Sequence, residues 1–116
     1  MTATLDRSKI IPAVMTENDL DRVIRYLTAQ RHLPAFHVIN SRRTVTLTGW
    51  PDWTIVGTRV IFRELKSERG KITPSQQALG EAILAAGGDW AVWRPTDLKN
   101  GRIEAELDGI TGRTAP

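Results

Sequence analysis

The stretch from Val60 to Trp93 constrains the fold most. Two strand-like runs, Val60 to Lys66 and Trp90-Ala91-Val92-Trp93, flank a segment that opens Thr73-Pro74-Ser75-Gln76. Threonine at the cap, proline at the first helical position and glutamine three residues after the cap form a capping-box start. Leu79, Ala82, Ile83 and Ala86 then repeat at i, i+3, i+4 and i+7, and Gly87-Gly88 stops the helix. A strand–helix–strand link of this kind can run as a right-handed crossover, which makes the two strands parallel.

The preceding chain supplies the other elements. Thr16 is placed to cap a helix whose early Glu17, Asp19 and Asp21 complement the positive end of its dipole. Leu20, Val23, Ile24 and Leu27 give it one apolar stripe. Ala35 to Ile39 reads as a short extended segment, and Asn40 to Thr48 as a polar, basic loop. Trp53-Thr54-Ile55-Val56 and Val60 to Lys66 form a hairpin across Gly57-Thr58. Side-chain alternation puts Val60, Phe62, Glu64 and Lys66 on one face, with Val60 and Phe62 expected to look inward. Trp53, Trp90 and Trp93 are expected in the core, and Trp50 in packing. Residues 1–11 have no clear period, 97–108 hold a small final element, and 109–116 read as a frayed tail. The expectation is an α/β fold: one domain over 1–116 with a core of about 16–108, a small mixed sheet flanked by helices.

Composition removes several kinds of chemistry. The 116 residues contain no cysteine, so disulfides, thiolate catalysis and sulfur-based zinc sites are excluded. Only His32 and His37 are present, so a metal would rest on oxygen ligands, which favours Mg²⁺ or Mn²⁺. No apolar run approaches the ~20 residues of a membrane span. The first residues lack the charged-then-apolar pattern of a signal peptide, so the chain is expected to remain inside the cell that makes it.

Pro51-Asp52 and, eleven residues beyond, Arg63-Glu64-Leu65-Lys66 carry the chemistry. Asp52 and Glu64 can share one divalent cation, and Lys66 can reach the same point. The charge distribution agrees. Residues 42–71 hold seven Arg and Lys against three acids, whereas the remainder holds nine against ten. A positive surface around an acidic pair is what a phosphodiester substrate needs, although a basic face can also be merely solvated. Asp52 after proline also reads as a turn residue, and Glu64 and Lys66 as an ion pair.

These stretches, Gly49-Trp-Pro-Asp52, Phe62-Arg-Glu-Leu-Lys66, Gly70-Lys-Ile-Thr-Pro-Ser-Gln76 and Trp93-Arg-Pro-Thr-Asp97, resemble the VRR-NUC family of the PD-(D/E)XK nuclease superfamily. The likeness runs from about Glu17 to about Asp97, and small stand-alone members of the family occur in phages. It implies a restriction-endonuclease-like core and a metal-dependent DNA endonuclease. It also implies Holliday-junction-resolvase-like action on branched DNA by a homodimer. A restriction-like, sequence-specific nuclease with the same site and a non-catalytic DNA-binding protein are the alternatives.

On this resemblance Asp52 and Glu64 are metal ligands, the Leu65 carbonyl adds a third oxygen, and Lys66 positions water or stabilises transition-state charge. Glu17 lies two helical turns before Ile24, on the edge of the apolar stripe, and is a further ligand or a helix-dipole acid; Asp21 is the second choice. Gln76 supports the site or only caps its helix. Arg42, Arg43, Arg69 and Lys71 are candidates for DNA phosphates. His37 reads as structural. Arg63 departs from the family, which often has an apolar residue there. This puts in question how fully the outer face of its strand is buried.

Overall fold

A computed structural model describes residues 14–38 and 48–112. The first helix, α1, spans Glu17–Gln30 and starts as the sequence implies. Thr16 Oγ1 accepts from the Asp19 N–H at 3.1 Å, and Asp19 Oδ2 accepts from the Thr16 N–H at 2.9 Å, so two orphan donors are satisfied reciprocally. Leu20, Ile24 and Leu27 are fully buried, with Val23 packed beside them.

Strands β1 (Ala35–His37), β2 (Trp53–Val56), β3 (Val60–Leu65) and β4 (Asp89–Trp93) form one sheet in the order β1-β2-β3-β4. The first two pairings are antiparallel and β3–β4 is parallel, so the sheet is mixed. Helix α2 (Pro74–Ala85) makes the β3–β4 crossover, and α3 (Pro95–Lys99) and α4 (Arg102–Asp108) follow β4. Thr73 and Gln76 form the expected capping box. The α2 stripe is shallower than its spacing implies. Leu79 and Ile83 are half-buried, Ala82 and Ala86 are exposed, and the buried residue is Gly80, which sits on the Trp90 ring.

The face of β3 that looks inward is the opposite of the one expected. Ile61, Arg63 and Leu65 point into the core with Trp53, Ile55 and Trp93, beneath α1 and α4. Val60 is exposed, and Phe62 is half-buried against the edge of Trp50. Alternation defines two faces but not which is inside; a charged residue amid Ile61 and Leu65 disguised the core side.

Arg63 is buried on that side, only 3% exposed, because its charge is matched. Its guanidinium donates to Glu106 Oε1 from Nε at 3.1 Å and Nη2 at 2.9 Å, and pairs with Asp89 Oδ1 at 3.0 Å. It also lies 5.3 Å from the Trp93 ring centre. The same Glu106 oxygen accepts the Trp93 indole N–H at 2.9 Å, and Arg102 donates to Oε2 at 2.7 Å. These partners hold the Glu106 carboxyl below the usual carboxylate range, against the opposing effect of burial.

The chain is still packed at Ile110, against the frayed tail expected from residue 109; residues 113–116 lie outside the described residues. Ile110 is fully buried in the core, and its carbonyl accepts the Thr58 N–H at 2.8 Å. Arg63→Ala removes the buried cation between Glu106 and Asp89, leaving them the more exposed Arg102 and Arg59, and empties the space beside Trp93. It is expected to lower stability by about 3–5 kcal/mol, read from urea denaturation.

Candidate active site

The site lies where β2 and β3 stop pairing. Their ladder ends at Trp53 opposite Arg63, so the Leu65 N–H on that edge has no strand partner. Asp52 Oδ2 accepts it at 2.8 Å. The turn carboxylate therefore completes the ladder and is itself fixed by it. Asp52 is held from the other side as well, its carbonyl accepting the Val38 N–H at 3.0 Å. Pro51, fully buried, sets its approach.

Gly49 brings this segment against α2. It has φ of +94°, and a Cβ there would lie 2.6 Å from the Ser75 carbonyl oxygen and 3.0 Å from the Gln76 nitrogen. Only glycine fits this left-handed conformation and close approach together. The loop that carries Asp52 thus rests on the start of the helix that carries Gln76.

Gln76 has both the roles that its sequence context leaves open. Its Oε1 caps α2 by accepting the Thr73 N–H at 2.9 Å, and its Nε2 donates to Glu64 Oε2 at 3.2 Å. An amide has an acceptor end and a donor end, so one side chain caps the helix and orients the acid.

Glu64 projects from β3 on the face opposite Arg63 and is only 2% exposed. Its pKa is pushed up to about 9, first by burial, then by its hydrogen bond with Asp52 and the Asp52 charge, with Lys66 opposing. Burial and the neighbouring Asp52 both favour the protonated form of Glu64. Lys66 follows β3, with its N–H donating to the Trp93 carbonyl at 3.1 Å, so its backbone extends the parallel ladder. Glu17, exposed at the first position of α1, is raised by desolvation, then by Asp52 and, more weakly, Asp21, while Lys66 pulls it down. The structure thus brings Asp52, Glu64, Lys66 and Gln76 together, with Glu17 within electrostatic reach.

Two adjacent hard carboxylates, Glu64 buried and Asp52 half-buried, are a fitting donor set for Mg²⁺ or Mn²⁺. Among the described residues, no group of three or more acidic or histidine side chains is placed to hold a metal by itself. Glu17 therefore stands outside the pair rather than completing a cage.

Arg69 and Lys71 are exposed on the turn after β3. Arg42 and Arg43 lie outside the described residues. Asp21 belongs to a separate cluster. Its Oδ1 accepts from Trp53 Nε1 and His37 Nε2, both at 2.9 Å, and its Oδ2 from Arg25 at 3.2 Å. His37 also meets Arg25 through Nδ1 at 3.0 Å and lies over Trp53, so it is structural, as its sequence context implied. This cluster joins α1, β1 and β2 beside Asp52. Sequence reasoning missed it because its members are up to 32 residues apart.

The architecture is a four-stranded mixed sheet flanked by helices, with two acids and a lysine gathered at the end of its β2–β3 hairpin. In particular, the chain shares its fold with a solved structure described as a VRR_NUC domain protein. The TM-score is 0.60 at 19% identity, over 87% of this chain and 99% of that one. No protein-family model and no curated protein matches the sequence.

The raised Glu64 pKa fixes the sign of a pH effect. Between pH 4.5 and about 9 the folded protein keeps a proton that the unfolded chain has released. Through Glu64, stability therefore falls as pH rises through that window when no cation is present. In EDTA, wild-type Tm should fall more steeply from pH 6 to pH 9 than that of Glu64→Gln, which stays neutral throughout.

Proposed function

We propose that this protein is a metal-dependent DNA endonuclease selective for branched DNA. The observation that carries the reading is the pair of buried Glu64 and half-buried Asp52, oriented by Gln76 and accompanied by Lys66, at the end of a PD-(D/E)XK-like sheet. A carboxylate as buried as Glu64 beside a second acid costs the fold stability unless a proton or a ligand neutralises it.

Asp52 and Glu64 would hold Mg²⁺ or Mn²⁺, with the Leu65 carbonyl as a further oxygen. Bound there, the cation supplies positive charge and Lewis acidity to a phosphodiester. The residues do the rest. Asp52, tied to Leu65, keeps one oxygen on the sheet and leaves the other for a ligand. Glu64 would lose its proton to solvent on serving as a ligand, and the Gln76 amide keeps its carboxyl plane fixed. Lys66 offers an ammonium to a non-bridging phosphate oxygen and stabilises the charge that builds as water attacks phosphorus in line with the leaving oxygen. Glu17, at the mouth, can orient a water. Arg69 and Lys71 face the phosphates on either side, with Arg42 and Arg43 as further contacts.

Branched DNA is the favoured substrate because a domain of this size has little surface for reading bases. Two copies with sites spaced across a branch would select shape instead. Among the described residues no helix is long and apolar enough to cross a membrane. Nothing in the composition of the site competes with a nucleic-acid substrate.

Asp52→Asn and Glu64→Gln are expected to lose about 10³-fold or more of Mg²⁺- or Mn²⁺-dependent cleavage while retaining the native circular dichroism. Mn²⁺ should raise the Tm of wild type but not of Glu64→Gln. Four-way junctions should be cut in preference to linear duplex of the same sequence, and sedimentation should report a dimer. Undiminished cleavage by both variants would sink the assignment; equal cutting of linear duplex would sink the branch selectivity.

A further inference from the structure

Trp93-Arg94-Pro95-Thr96-Asp97 stands out in the sequence, yet the acid pair gives it no role. The structure places Arg94 at the end of β4, immediately after the carbonyl that receives the Lys66 N–H. Its Nη1 donates to three backbone oxygens of one turn: Ser67 at 2.8 Å, Gly70 at 2.7 Å and Glu68 at 3.3 Å. A second tie runs the other way, from the Thr96 N–H to Glu68 Oε1 at 2.9 Å. Asp97 Oδ2 accepts the Arg94 N–H at 2.8 Å, and its Oδ1 pairs with Arg102 at 3.0 Å, so the arginine stands on a fixed base.

The turn that Arg94 gathers lies against Lys66. A Cβ built on Gly70 would stand 3.5 Å from Lys66 Cδ, in ordinary van der Waals contact, and 2.9 Å from Ser67 Oγ, so the Gly70 backbone bounds the space beside the lysine stem about one methyl away. Three carbonyls converging on one nitrogen hold that wall more firmly than the turn's own Gly70-to-Ser67 bond of 3.2 Å. A four-carbon stem has many rotamers, and a fixed wall removes some of them.

The geometry points to Arg94 as the positioning residue for Lys66: by anchoring the Ser67–Gly70 turn it fixes where the lysine ammonium stands beside the acid pair. The inference rests on the nuclease reading for its catalytic consequence. The placement of Lys66 does not depend on that reading.

Two readouts separate the two. In the metal-free protein, acetylation of Lys66 is compared by mass spectrometry with that of exposed Lys99. R94Q should raise the Lys66-to-Lys99 ratio by about threefold or more, as a freed turn opens to solvent. R94K, which keeps a cation and puts three N–H donors on one nitrogen where Nη1 has two, should return the ratio towards wild type. Circular dichroism and Tm identify any variant that has not folded, and R94K then decides by the same ratio.

On four-way junction DNA, R94Q should lower kcat by about 10²-fold, the scale of a misplaced catalytic group. KM should stay within about twofold. Combined with K66A, R94Q should cost nothing further, because a residue that acts through Lys66 is silent once Lys66 is gone. An unchanged labelling ratio in a folded Arg94 variant, or losses that add fully in the double variant, overturns the inference. A wild-type protein that cuts no DNA defeats the nuclease reading instead, and the labelling ratio then decides the anchor alone.

Discussion

The site depends on one unfavourable contact, the close approach of the Asp52 and Glu64 carboxyls inside the protein. Desolvation and like charge both oppose their joint ionisation. The surrounding structure forces them together regardless. Asp52 cannot withdraw without leaving the Leu65 N–H unpaired. Glu64 cannot turn away without losing the Gln76 amide and carrying its carboxyl into the sheet. The architecture is thus arranged to concentrate negative charge at one point, and to resolve it with a proton or a cation.

Much of this was legible locally. Thr16 and Thr73 announced their helices because a cap is a short-range pattern. The hairpin and the parallel neighbours followed from strand spacing and the intervening helix. That Asp52, Glu64 and Lys66 come together was expected from strand alternation and the hairpin, with the family resemblance lending weight to a motif that is weak by itself.

What stayed hidden depended on distant partners. Arg63 looked like a flaw in a core strand until Glu106, 43 residues later, supplied its counter-charge. The inward face of β3 was misjudged for the same reason. Ile110 stood alone in a stretch of glycine and threonine, where no period marks a packed residue. Arg94 carried a visible signal, an arginine before proline with aspartate three positions on, but its three acceptors are backbone carbonyls and leave no trace in side-chain pattern. Gln76 was ambiguous only because one residue was expected to have one role.

The placement of Arg63 and Glu64 on opposite faces of β3 also guards the folding reaction. Displacing this strand by a single position would turn the glutamate towards Asp89 and Glu106 without Arg63 between them, and would carry Ile61 and Leu65 out of the apolar core. A mispaired sheet is therefore rejected twice, by repulsion and by lost apolar burial. Adjacent residues of opposite sign proofread the hairpin before any substrate is met.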